Sequence, residues 1–135
     1  ALSDAGIPFD PALVVKGEFQ RKIAYESAKA LLEQKVDAIF ASSDSMAQGI
    51  YDLLNEKGLV IPDDIAVIGF DDLQTAMSLK PALTTVRQPL RQKGEIATTL
   101  LLDMIEGKVQ APQHVVLPAE LIVRQSCGST AVVRI

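Results

Sequence analysis

Residues 65–70 read IAVIGF, carry no charge, and run straight into Asp71 and Asp72. Side chains of a strand alternate between two faces, so a strand that is apolar throughout calls for cover on both. The run is short and rich in β-branched residues, which predicts a strand inside a helix-covered sheet rather than a buried helix. Its neighbours agree. The segment SSDSMAQGIYDLLNEKG puts Met46, Ala47, Ile50, Tyr51 and Leu54 on one helical face, with Ser43 or Asp44 near the N-cap and Gly58 at the stop.

Upstream, DAIFA reads as a short strand over residues 37–40. Before it, Ile23, Ala24, Ser27, Ala28, Leu31 and Leu32 recur at helical spacing, predicting an amphipathic helix over residues 20–35. Downstream, LTTVRQ is of strand type. A helix should start at Pro89 and carry Leu90, Ala97, Leu101, Met104 and Ile105. The segment HVVLPAELIVRQS reads as two short strands interrupted by Pro118. Strands and helices alternating at these lengths predict an α/β fold built on a parallel sheet covered by helices.

A length of 135 residues with 48% hydrophobic content suits a single core, and no internal repeat is present. Cys127 is the lone cysteine and cannot close an internal disulfide, as in proteins of a reducing compartment. No apolar run approaches the roughly 20 residues that cross a bilayer. Thirteen basic and seventeen acidic residues give a net charge of −4, which supplies no footprint for nucleic acid within this chain. The opening ALSDAGIPFD lacks the pattern of a secretory leader and looks like a helix tail ending at Gly6, so a piece of a longer protein is expected.

In open α/β sheets ligands bind beyond the carboxyl ends of the strands. Two such ends are legible, FASSD and FDDLQT, each an aromatic residue followed by short polar groups. A carboxylate there can accept hydrogen bonds from neighbouring hydroxyls of a polyol, and an aromatic face can cover the apolar side of a sugar ring. Asp71 is the leading candidate for that role. The plainer reading stays open beside it, because Asp commonly caps backbone N–H groups at a strand-to-helix turn. Asp44 reads as a helix-start charge and the pair Asp63 and Asp64 as a solvated turn. Phe19 and Phe40, by residue type alone, are core residues. His114 and Cys127 have no partners at catalytic or metal-ligand spacing, and no phosphate-binding glycine loop is present, so neither an enzyme nor a cofactor is expected.

Four stretches in fixed order, AGIPFDPALVVKGEF, DAIFASSDSMAQGIYDLLNEKGLVIPDDIAVIGFDD, PALTTVRQPLRQKGEIATTLLLDMIEGK and LPAELIVRQSC, resemble the effector-binding core of the lactose-repressor and galactose-repressor (LacI/GalR) family of transcription regulators. The resemblance covers nearly all of the chain to about Gly128. It implies a periplasmic-binding-protein-like core of type I, with residues 1–82 in the C-terminal lobe. Residues 83–118 form the crossover and N-terminal-lobe elements, including a strand near Val115. A return strand over residues 119–128 and a tail over residues 129–135 follow.

By the same resemblance Asp71 matches an effector-binding aspartate of sugar- and purine-responsive members. Phe40 and Phe19 match aromatics that line the effector pocket, and Gln88 a glutamine near the cleft. Ser43 stands where sugar-responsive members often carry asparagine. The implied protein is a cytoplasmic, homodimeric regulator that senses a sugar, nucleoside or purine and meets operator DNA through an N-terminal helix-turn-helix not contained in these residues. The competing reading is a periplasmic sugar-binding protein of a transport system. The helix over residues 89–107, parted from the sheet it should cover, is expected to leave its apolar stripe unburied, to pair with a second copy, or to loosen.

Overall fold

The structure is a computed structural model that describes residues 2–110 and 113–129. Most of the expected tail, residues 130–135, lies outside the described residues, as do Ala1 and residues 111 and 112. Four strands form one sheet in the order β1 (Ala38–Phe40), β2 (Ala66–Asp71), β3 (Thr84–Arg87), β4 (Glu120–Ile122). The first three are parallel, with Phe40 beside Ile68 and Asp71 beside Arg87. β4 runs antiparallel to β3 and sets Glu120 opposite Arg87.

Helices α1 (Arg21–Glu33) and α2 (Asp44–Glu56) pack on each other and on one face of the sheet. Ala28 and Leu31 of α1 meet Ala47, Ile50, Leu53 and Leu54 of α2 over Ile39, Val67 and Leu83. The helices approach closely at Gly49, where a Cβ would run into the backbone carbonyl of Arg21. α2 starts where the sequence expects, with Ser43 Oγ accepting from Met46 N at 3.2 Å. It is followed by Gly58 at φ +69°, a conformation glycine adopts without steric cost. The buried hydroxyl of Tyr51 donates to the Pro81 carbonyl at 3.0 Å and ties α2 to the loop before β3.

Three expectations are corrected. β2 is not covered equally on both faces: Val67 and Gly69 are buried, whereas Ala66, Ile68 and Phe70 keep intermediate exposure. The reason is one-sided helix packing. The short turn Gln125–Cys127 ties β2 to β3, its Ser126 Oγ accepting from Thr84 N and donating to Val67 O. Among the described residues no strand forms near Val115. Residues 113–119 carry no regular structure and Val116 is 92% exposed, because a strand exists only where a neighbour takes up its N–H and C=O groups. The helix tail expected before Gly6 is a single 3-10 turn, Ser3–Ala5, closed by Gly6 at φ +68°.

A five-residue helix, α3 (Gln74–Ser78), was not anticipated. The long helix expected after Pro89 is present as α4 (Leu90–Ile105), yet it buries no residue. Leu101, Leu102 and Ile105 stand open, Ile105 at 73%. Among the described residues no helix is long and apolar enough to cross a membrane.

Candidate functional site

The carboxyl ends of β1, β2 and β3 lie side by side and end in Phe40, Asp71 and Arg87. Gln88 directly follows β3, and Phe19 sits in the loop that enters α1. That loop is held against the start of α2 by contact between Gly17 and Met46. Among the described residues, those other than glycine in left-handed conformation are Glu18, Phe19, Lys35, Asp71 and Asp72. All except Lys35 belong to this edge. Asp71, at φ +110°, is the furthest from any conformation an L-residue prefers, and strain of this kind persists only where surrounding contacts enforce it.

The two adjacent aspartates have different work. Asp72 is bonded on both oxygens: Arg124 Nη2 donates to Oδ1 at 2.7 Å and Arg87 Nε donates to Oδ2 at 2.7 Å. Arg124 also donates to the Leu83 carbonyl at 2.7 Å, so Asp72 braces the tips of β2 and β3 against the returning chain. Burial works to raise the Asp72 pKa, but the hydrogen bonds and charges of Arg124 and Arg87 outweigh it and hold the carboxyl below its ordinary range.

Asp71 has one side-chain donor, Gln88 Nε2, at 2.8 Å from Oδ1. Its other oxygen has no donor among the described residues and is not sealed from solvent. A carboxylate offers about four lone-pair sites, so most of its accepting capacity is open.

Beneath these tips lies a tie that sequence reasoning missed. Asp44 stands in the first turn of α2, as its position suggests, but it is also fully buried and accepts from Thr85 Oγ1 at 2.6 Å and from Leu73 N at 2.7 Å. Burial above all pushes its carboxyl pKa up, against the hydrogen bonds from Thr85 and Leu73. Gly69 makes room for it, since a Cβ there would run into Asp44 Oδ1 and come within 2.8 Å of Leu83 Cδ2. The partners are 29 and 41 positions from Asp44, beyond anything local pattern can reveal. Arg124 in its role on Asp72 was likewise invisible.

The remaining candidates divide. Phe40 is 62% exposed and Phe19 70% exposed, so neither is the core residue its type suggests, and both are available on the site edge. Ser43 is buried, and its oxygen is engaged as the α2 cap. His114 is exposed in the irregular segment before β4. Among the described residues no group of three His, Cys, Asp or Glu is placed to hold a metal ion. A groove of about 640 Å³ runs along α1 and β1 from Leu13 to Phe40 and is mostly apolar. It reaches the site edge through Phe40, Ser42 and Met46 without including Asp71. The arrangement offers an open acceptor beside exposed aromatic surface, which suits binding of a hydroxylated molecule.

A mostly parallel sheet with helices on one face and a polar site at the strand tips is the architecture of a periplasmic-binding-protein-like domain. The periplasmic binding protein-like domain matches residues 1–127. The HTH-type transcriptional repressor PurR of Yersinia pestis is 38% identical over 128 residues, which are 93% of this chain and 38% of that protein. The transcriptional regulator CelR in complex with cellobiose superimposes with a TM-score of 0.87 at 37% identity, over 93% of this chain and 39% of that one. A LacI family regulator from Enterococcus faecium with bound ribose gives 0.81 at 32%, over 93% and 47%. The chain belongs to the periplasmic binding protein-like family, in its LacI/GalR branch. It spans about two fifths of the length of the curated relatives it matches.

Proposed function

We propose that this chain is the effector-sensing part of a LacI-type transcription regulator and that the strand-tip edge holds a small hydroxylated effector of sugar type. The observation that carries the reading is Asp71: its backbone is held in an unfavoured conformation, Gln88 fixes one oxygen, and the other is left free to accept. Phe40 and Phe19 supply apolar surface for a ring face, and Ser43 contributes by fixing the start of α2 behind them. Two solved relatives carry cellobiose and ribose, which supports sugars first; purines stay among the compounds to test because the family resemblance includes purine-responsive members.

In this reading residues 1–82 belong to one lobe and residues 83–118 reach toward a second, with the return strand at 119–128. The effector binds between lobes and favours one arrangement of them. Coupling to DNA equals the difference in effector affinity between the arrangements, so this part makes contacts but does not switch by itself. Operator DNA would be met through a separate DNA-binding part in a cytoplasmic homodimer. Nothing is chemically transformed. The transcription regulators among its relatives favour this over a transport protein.

Calorimetric titration with cellobiose, ribose, nucleosides and purines tests the proposal. Binding by one of these classes is expected, with affinity falling about 10- to 100-fold in Asp71→Asn, the loss of a hydrogen bond to a charged acceptor. An affinity unchanged by that substitution overturns it.

A further inference from the structure

Two consecutive residues other than glycine take positive φ where β2 ends, Asp71 at φ +110° and, just past the strand, Asp72 at φ +55°. Each such conformation costs on the order of 1–3 kcal/mol, so contacts nearby must enforce it. The next two amides supply them. Asp72 N–H donates to Thr85 Oγ1 at 3.3 Å, Thr85 donates its own hydroxyl proton to Asp44 Oδ1 at 2.6 Å, and Leu73 N–H donates to Asp44 Oδ2 at 2.7 Å. The relay has one direction: the threonine hydroxyl accepts from the turn and donates to the carboxylate.

We propose that Asp44, acting through Thr85 and the Leu73 amide, is the positioning residue that sets the left-handed turn presenting Asp71. The chemistry requires a carboxylate. Two donors converge on the side chain, and only a carboxylate meets both with acceptor oxygens, whereas an amide would turn its NH2 toward one of them. Gly69 leaves the space this carboxylate fills. Asp44 is anchored in turn by the first turn of α2, where a negative charge is favoured by the helix dipole. The rival enforcer is the grip of Arg124 and Arg87 on the Asp72 side chain, which holds that residue without touching the Asp72 or Leu73 amides. The consequence for binding rests on the reading of Asp71 as effector contact; the consequence for backbone geometry does not.

The test uses Asp44→Asn and Thr85→Val, both close to native volume, with Thr85→Ser as the conservative variant. Three-bond couplings between amide and α protons report φ at Asp71 and Asp72, and hydrogen exchange reports the Asp72 and Leu73 amides. In Thr85→Val the couplings should move toward ordinary values and the Asp72 amide should exchange about tenfold faster or more, with β2 amides unchanged. Thr85→Ser should keep both. With cellobiose and ribose as probes, the losses from Thr85→Val and Asp71→Asn should not add, the double variant binding as Asp71→Asn does alone. Unchanged couplings at Asp71 in both Asp44→Asn and Thr85→Val, or fully additive binding losses, overturn the proposal. If Asp71→Asn binds the probes like the parent, the effector reading fails while the couplings still decide the positioning role. Should Asp44→Asn not fold, Thr85→Val carries the decision.

Discussion

Arg124 Nη2 stands 2.7 Å from Asp72 Oδ1 and thereby joins the tip of β2 to a residue 52 positions further along the chain. With Arg87 on the second oxygen and the Asp72 side chain only 9% exposed, the folded protein favours the ionised carboxyl. A folded pKa below the ordinary 3.8 means that stability is contributed above that value and lost as pH falls through the folded one. Urea denaturation of the parent should therefore lose stability below about pH 4, and Asp72→Asn should show a shallower acid limb. Asp44, raised by burial, acts with the opposite sign, its contribution being lost as pH rises, so the comparison must be made variant by variant. An acid limb equally steep in Asp72→Asn contradicts the role given to the pair.

Tyr51 gives the alkaline counterpart. Burial pushes its hydroxyl up to about 12 from an ordinary 10.0, so its contribution is complete below pH 10 and disappears as pH rises toward the folded value. The parent should lose roughly 2–3 kcal/mol across that interval on this account, and Tyr51→Phe should lose less. At neutral pH the same variant should be about 1 kcal/mol less stable, having given up the hydrogen bond to Pro81. Identical alkaline limbs would exclude Tyr51 as their source.

Gly49 sets two effects against each other. Alanine in a helix interior is favoured over glycine by up to about 1 kcal/mol. Here, however, the added carbon meets backbone of α1, the Arg21 carbonyl and the Tyr25 nitrogen, which cannot move aside as a flexible side chain could. Overpacking should win, and Gly49→Ala should lower stability by about 1–3 kcal/mol in thermal or denaturant unfolding. A stabilised variant would show that α1 shifts freely on α2.

The exposed aromatics separate ligand surface from core. Truncating a buried phenylalanine costs about 3–5 kcal/mol. Phe40→Ala and Phe19→Ala should each change stability by no more than about 0.5 kcal/mol, as surface substitutions do. Each should weaken binding of a sugar ring by up to about tenfold. Variants that lose stability but not affinity would return both residues to a structural role.

Much of this protein was legible in the sequence. The 3.6-residue recurrence of Ile50, Tyr51 and Leu54, the Ser43 cap, Gly58 at the stop and the uncharged run before Asp71 are local signals, and α1, α2, α4 and the first three strands followed from them. So did the place of Asp71 at a strand tip, because chain direction and strand length fix which residue stands there. Tertiary structure alone decided which aspartate is free and which is bound. Asp72 is closed by Arg124 and Asp44 by Thr85, and nothing in the composition of either neighbourhood distinguishes them from Asp71. It also decided that Phe19 and Phe40 face outward, that residues 113–119 form no strand, and that α4 buries nothing. Periodicity and capping are properties of a few consecutive residues, whereas burial, strand pairing and the partner of a carboxylate depend on groups brought together from tens of positions away.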